Sequence, residues 1–398
     1  MLITGNYLPG KNGGIENYTH WLATLLLRQH FVVEVAALNV EDKQDYIYEN
    51  IPVHHLNRSL SLFEQVLKSG NFDICHFHEY SENGGIEIPW FKLAKKYCKK
   101  VFFTFHLPYL TCYKNDFRYK GVKDCFTFNN PARCVDCILT ERINNTVGSI
   151  FGPVATTAFK VIPGIYKKLE TKVVLKHFYL KELLSSCNEI FIIADWFQKL
   201  LFENGYINCN IHKIPNESRP VIAENALVDN TEMKKKVVFI GRIERQKGLH
   251  LLCKAMNHIN RKDLLLDVYG NKVEEKYFEQ CIEKYAFNYK GSVPRADLLA
   301  HMKEYDFLVL PSVFTEMFPI VIIDAFHHQL SVIASTAKGN KDVIKDGING
   351  FLFEYDNAKD LAKTIDKAYQ LKESGWRPEF VNPEDAEKEI EEILSYYK

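Results

Sequence analysis

The chain has 398 residues, with 50 Lys+Arg against 50 Asp+Glu and a formal net charge of zero. Hydrophobic residues make up 46% and aromatic residues 13%, which excludes a disordered chain, and the charge balance excludes a global electrostatic grip on nucleic acid. No apolar run approaches the ~18 residues that a membrane-spanning helix needs. Met1–Gly10 has no basic segment followed by an apolar core. The expectation is therefore a cytoplasmic chain without a secretory leader, its ten cysteines reduced.

Short β-branched or aromatic runs at Met1–Gly5, Phe31–Ala37, Phe72–Phe77, Val101–Phe105 and Glu189–Ile193 predict buried strands. Met1 stands inside the first of them with no polar lead-in, so either that strand is clipped or the start lies upstream. Ile15–Leu26 carries Ile15, Tyr18, Leu22, Leu25 and Leu26 on one helical face. A second set follows a polar stretch at about Ser218–Lys235. Its strands are Lys236–Ile240, Leu264–Tyr269, Asp306–Leu310 and Ser331–Ala334. Its helices are Leu249–Ile259, Val273–Tyr285, Asp297–Tyr305, Pro319–His328 and Ala358–Leu371. Pro383–Lys398 reads as one more helix. Strand then helix, repeated, is the pattern of a parallel sheet covered on both faces. The fold class is thus α/β, with two doubly wound, Rossmann-like domains facing each other across a cleft. The expected boundaries are 1–217, with a cysteine-rich insert at about 107–145, then 218–375, then a C-terminal helical segment at 376–398 packing back on the N-terminal domain.

Ligands of such sheets sit beyond the carboxyl ends of the strands, where loops lead into helix N-termini. After the first strand, Gly13-Gly14 opens a helix whose backbone N–H groups can approach an anion; a plain glycine turn explains the pair equally simply. After the first strand of the second half comes Gly241-Arg242-Ile243-Glu244-Arg245-Gln246-Lys247-Gly248. Arg242 and Lys247 there could neutralise a diphosphate, or be two solvated charges. The third loop, Pro311–Pro319, runs into a helix with Pro319 suited to its first turn. Free N–H groups near Phe318 and Ile320 suit phosphate oxygens. Glu316 and Asp324, eight positions apart, suit hydroxyls of a sugar or ribose. The simpler reading makes Glu316 a helix-dipole partner and Asp324 a surface acid.

Taken together, Gly13-Gly14, "GRIERQKG", "PSVFTEMFPIVIIDAF" and "KDGINGFLF" (Lys345–Phe353) resemble family 4 of the retaining glycosyltransferases, which have the two-Rossmann GT-B fold. The match runs in the family's order from residue 1 to about 370. The resemblance implies that Arg242 and Lys247 hold the donor's diphosphate. It implies that Glu316 contacts the donor sugar and that the Phe318–Ile320 backbone caps a phosphate. The family's second Glu, which binds the nucleotide ribose, is Asp324 here, one methylene shorter. Met317 and Pro319 replace the small Gly positions of the usual Glu-Gly-Phe-Gly pattern. Glu217 follows Asn216 where the family's hinge has Gly. His106, at a strand end, matches the histidine that approaches the donor sugar's hydroxyls, as a positioning group more than a general base.

The implied activity moves a hexose-type sugar from a nucleotide-diphosphate sugar to a hydroxyl of a glycan or lipid-linked glycan, in cell-surface polysaccharide biosynthesis. No Asp-x-Asp stands at a strand end, so no catalytic metal or other cofactor is expected, and no nucleic-acid partner. Competing readings are a GT-B sugar-nucleotide epimerase, a phosphorylase (for which no pyridoxal lysine is evident) and a non-catalytic partner subunit. Cys112, Cys125, Cys134 and Cys137 fall within 26 residues, and Cys134-x-x-Cys137 has the spacing of a thiolate chelate loop, which predicts a structural zinc, with an iron–sulfur centre as runner-up; four unconnected thiols are the plain alternative. Lys160–Lys181 interleaves six lysines with apolar residues. It reads as a solvated helix face, or as a patch resting on anionic lipid at the inner face of a membrane.

Overall fold

The computed structural model of the protein describes residues 1–11, 13–39, 44–81, 85–121, 123–147, 163–207, 210–214, 235–259, 261, 263–380 and 383–398. Two units emerge, Met1–Glu217 together with Glu391–Lys398, and Ser218–Ile390. The expected linker at 216–235, with Asn216 and Glu217, lies almost wholly outside the described residues.

The first unit contains β1 (Leu2–Asn6), α1 (Gly14–Arg28), β2 (Val35–Asn39), β3 (Tyr46–Tyr48), β4 (Ile51–His55), α2 (Leu60–Gly70), β5 (Ile74–Phe77), α3 (Ile88–Tyr97) and β6 (Lys100–Phe105). Then come a two-stranded ribbon of β7 (Arg118–Tyr119) and β8 (Lys123–Asp124), and α4 (Pro131–Val147), α5 (Pro163–Ser186), β9 (Glu189–Ile192), α6 (Asp195–Glu203) and β10 (Ile211–Lys213). The sheet order is β10-β9-β6-β5-β1-β2-β4-β3. Every pairing in it is parallel except β3 on β4. Leu2 of β1 pairs with Val35 on one side and His76 on the other, so the strand order reverses beside β1. Both faces of the central strands are covered, which is why β6 can place Phe102, Phe103 and Phe105 in succession with none exposed.

The second unit contains β11 (Lys236–Ile240), α7 (Leu249–Met256), β12 (Leu265–Tyr269), α8 (Glu275–Lys284), β13 (Asn288–Gly291), α9 (Arg295–His301) and β14 (Phe307–Leu310). It continues with α10 (Ile320–His327), β15 (Ser331–Ser335), α11 (Lys338–Val343), β16 (Gly350–Phe353), α12 (Ala358–Glu373) and the start of α13 (Pro383–Tyr397). The six strands lie in the order β13-β12-β11-β14-β15-β16, all parallel, the doubly wound dinucleotide-fold order with its reversal between β11 and β14. The two-residue period of a strand divides β11 between two cores: Val237 and Phe239 pack on one face, Val238 and Ile240 on the other. On α8, Tyr277, Phe278 and Cys281 turn inward at helical spacing.

The last turn of α13 belongs to the first unit. Tyr397 is buried there, hydrogen-bonded to His76 Nδ1 and packed on the rings of Phe31 and Phe102. On α5, Val174, Leu175, Phe178 and Tyr179 are exposed beside Lys172 and Lys181. Lys176 is not part of that solvated face: its Nζ donates to Cys112 O at 3.0 Å and Asn115 Oδ1 at 3.1 Å. Lys160 and Val161 lie outside the described residues. Among those described, no helix is long and apolar enough to cross a membrane.

Candidate active site

Two loops leave the sheet of the second unit where its strand order reverses, Gly241–Gly248 after β11 and Pro311–Pro319 after β14. They are tied backbone to backbone, with Val313 N donating to Gln246 O at 2.8 Å. Gly248 makes this approach feasible. Its φ is +77°, and a Cβ there would stand 1.9 Å from the carbonyl oxygen of Pro311. Lys247, at the end of a 3-10 turn, is carried beside the second loop. Its Nζ donates to Glu316 Oε1 at 2.8 Å, and Ser312 Oγ donates to the same oxygen at 2.7 Å. Both donors converge on Oε1, and one hydrogen of three on the ammonium is taken by Glu316. Gly339 fixes the turn from the far side. Its N–H donates to Glu316 O at 3.1 Å, and a Cβ at that position would come within 2.3 Å of the same oxygen.

Arg242 shares the first loop but not this cluster. Its guanidinium pairs with Glu244 Oε1 at 2.9 Å and is 59% exposed, so it can meet an anion arriving from solvent. Pro319 stands one position before the expected first turn, as the N-cap of α10, and its carbonyl accepts from Ile322 N at 3.0 Å. Phe318, Pro319 and Ile320 therefore lead directly into the first turn of that helix, whose early N–H groups have no intrahelical acceptors. Asp324, one turn further, is not a surface acid. It is 7% exposed and gripped by Arg295, with NH2 to Oδ1 at 2.5 Å and Nε to Oδ2 at 3.3 Å. Arg295 opens α9, and no motif of the sequence singles it out. Gly339 and Ser312 are the other contributors that motif reading passes over.

The remaining candidates belong to the first unit. Gly13 is the N-cap of α1, with extended backbone and no side-chain cap. A Cβ there would collide with Glu16, which pairs with Lys11 at 3.6 Å. His106 follows β6 and is linked through Nε2 to His78 Nδ1 at 3.1 Å, with the Tyr18 ring 4.7 Å away. His76 is held by Thr104 Oγ1 at 2.7 Å. Burial drives all three imidazoles to the neutral form: His76 and His78 fall well below the ordinary histidine value, and His106 drops to about 3. A neutral His106 can orient a hydroxyl but cannot hold a proton near neutral pH.

The same burial predicts acid sensitivity. Each of these histidines binds a proton below about pH 6.5 when unfolded but stays neutral when folded, so stability rises with pH in that window. Acidification from pH 7 to pH 5 is expected to lower the urea midpoint of the first unit. A His106→Asn variant should show a smaller drop, and an identical drop in both proteins contradicts the assignment.

Cys112, Cys125, Cys134 and Cys137 line a single cavity of the first unit. As they stand, no three His, Cys, Asp or Glu side chains among the described residues are grouped closely enough to hold a metal ion.

Residues 224–394 match the family model described as glycosyl transferases group 1. A Klebsiella pneumoniae protein named as an uncharacterized 41.2 kDa protein in a cps region is 26% identical over 208 residues, covering 50% of this chain and 56% of its own length. An uncharacterized glycosyltransferase of Methanocaldococcus jannaschii is 30% identical over 168 residues, 41% of this chain and 42% of its own length. The chain therefore spans about half the length of these curated relatives. Over the whole chain, HepE of Anabaena, solved in complex with UDP, superposes with a TM-score of 0.64 at 14% identity, covering 100% of both chains. The chain accordingly has the GT-B glycosyltransferase fold, and its C-terminal segment is similar to glycosyl transferases group 1.

Proposed function

We propose that the protein is a retaining glycosyltransferase that passes a hexose-type sugar from a nucleotide-diphosphate sugar to a hydroxyl of a glycan or lipid-linked glycan. The observation that carries this reading is the Lys247–Glu316–Ser312 cluster at the reversal point of the second sheet. As the bond from the sugar's anomeric carbon to phosphate breaks, negative charge grows on the diphosphate. Lys247, Arg242 and the first turn of α10 oppose that charge without reorganising. Glu316 accepts from donor-sugar hydroxyls. Asp324, already oriented by Arg295, accepts from the ribose; the bidentate hold offsets the shorter side chain. Front-face attack lets the departing phosphate oxygen take the acceptor's proton, so the anomeric configuration is kept. Neutral His106 orients a sugar hydroxyl. The relative in a cps region supports a cell-surface polysaccharide product. The basic and apolar face of α5 supports a lipid-linked acceptor and peripheral contact with a membrane from the cytoplasmic side.

The test is calorimetric titration with a panel of uridine, guanosine and adenosine diphosphate sugars, followed by NMR of the product formed with the binding donor. At least one donor should bind, more weakly in Asp324→Asn, and an α-linked donor should give an α-linked product. No binding by any donor leaves a non-catalytic partner subunit. Donor conversion without acceptor makes the protein an epimerase.

A further inference from the structure

The thiol cavity lies in the first unit, in the segment between β6 and α5. Its four cysteines come from three pieces of backbone. Cys112 precedes the β7–β8 ribbon, Cys125 follows it, and Cys134 and Cys137 sit one turn apart near the start of α4. A ribbon and a helix start supplying sulfurs in pairs form a compact scaffold that has little core of its own. Among the described residues, the apolar cluster beneath it is Val135, Ile138, Leu139, Ile143, Leu169 and Val173, with Tyr113, Cys134 and Tyr166 packed against it. A small substructure of this kind needs a staple.

Backbone N–H groups point at two of the sulfurs. Lys120 N donates to Cys137 Sγ at 3.0 Å, and the N–H groups of Lys114 and Phe117 approach Cys112. Such bonds contribute little to a neutral thiol and much to a thiolate. Three cations, Lys114, Arg118 and Arg133, line the same cavity. The Nε of Arg133 is buried with no acceptor among the described residues. Lys114 is paired with Asp116 and Glu141, and Arg118 with Asp124 at 2.9 Å. Four thiolates around one divalent ion carry a net charge of minus two, which the guanidinium of Arg133, lining the same cavity, partly offsets.

We propose that Cys112, Cys125, Cys134 and Cys137 form a structural site for a single zinc ion. All-sulfur donors suit zinc or an iron–sulfur cluster. The Cys134-x-x-Cys137 spacing is that of a zinc chelate loop, and metal content and absorption distinguish the two. All four sulfurs donate locally, Cys112 to Asp116 Oδ1 at 3.9 Å. Cys125 donates to Thr127 O at 3.1 Å, Cys134 to Phe128 O at 3.6 Å and Cys137 to Arg118 O at 3.6 Å. Binding exchanges these weak bonds for zinc–sulfur bonds: one zinc ion and four thiols give the tetrathiolate and four protons, with no change of oxidation state. The sulfurs close on the ion by turning inward from the walls they already line.

The test needs no glycosyl transfer, so its outcome stands whether or not the proposed activity does. Full-length protein purified without chelator is analysed for metals, and its thiols are counted with and without a mercurial that displaces zinc. The expected result is about one zinc per chain, released as the four cysteines react. Cys134→Ser and Cys137→Ser should each lower the zinc content severalfold. Should these variants not fold, cobalt titration of stripped wild-type protein gives the same answer through the absorption of tetrahedral cobalt thiolate. Four freely reactive thiols with no metal in the wild type overturn the proposal. So does a mass deficit showing disulfides, or iron with the absorption of a cluster.

Discussion

Lys247→Ala is expected to slow glycosyl transfer on the order of 100-fold or more, about 2.7 kcal/mol of transition-state stabilisation. The ammonium is preorganised: Glu316 and the neighbouring Phe314 ring, 4.8 Å from Nζ, hold it in place before any ligand arrives. Its charge therefore costs no reordering when the diphosphate departs. Lys247→Arg keeps the charge but not the compact donor geometry and should fall between the two. Removing the lysine also leaves Glu316, its side chain only 8% exposed, with Ser312 as its side-chain donor among the described residues. Losing one partner of such a group costs about 1–3 kcal/mol of stability, so rates must be compared at a temperature where both proteins are folded. Ser312→Ala separates the two effects, since it removes a hydrogen bond from the same oxygen without removing charge. A fully active Lys247→Ala enzyme refutes the diphosphate role.

Gly248→Ala is the substitution with the largest expected structural effect. An alanine at φ +77° pays a left-handed backbone penalty of about 1–2 kcal/mol. Its Cβ would also lie 1.9 Å from Pro311 O, which is backbone and cannot rotate away, so the two donor loops must part. Overpacking of that kind adds about 1–3 kcal/mol. The combined loss should appear as a lower denaturation midpoint of the second unit. Parting the loops also breaks the Val313–Gln246 bond that sets the distance from Lys247 to Glu316. Nucleotide affinity should therefore fall even where the protein remains folded. An unchanged midpoint and affinity would show that the loops are not held together at this glycine.

The parts of the fold readable from sequence are those buried on both sides. β1, β2, β5, β6, β9, β11, β12, β14 and β15 are apolar runs because helices cover both faces of the sheets, and such runs need no tertiary information to be recognised. Besides the two-residue strands of the β7–β8 ribbon, the strands that escape reading are β3, β4, β10, β13 and β16. Four of them lie at or beside a sheet edge with mixed polarity: β13 reads Asn-Tyr-Lys-Gly and β4 contains Pro52. β16 ends the second sheet and starts with a glycine. The site divides along the same line. Lys247 and Glu316 stand in loops whose composition betrays them. Arg295 grips Asp324 from 29 residues away across a helix start, and only the folded sheet brings the two together. Gly248 and Gly339 look ordinary in the sequence; their importance lies in the atoms that face the missing Cβ. For the cysteines, spacing suggested a shared centre, and folding puts all four on the wall of one small cavity.

The bond between Tyr397 and His76 spans 321 positions of chain, and this sets the timetable of synthesis. At translation rates of about 5–20 residues per second, the interval between the two residues leaving the ribosome is roughly 16–64 s. Throughout that wait the nascent first unit presents the rings of Phe31, Phe102 and Phe191 that Tyr396 and Tyr397 will cover. A chain halted in its final helix would leave these rings without their tyrosine cover.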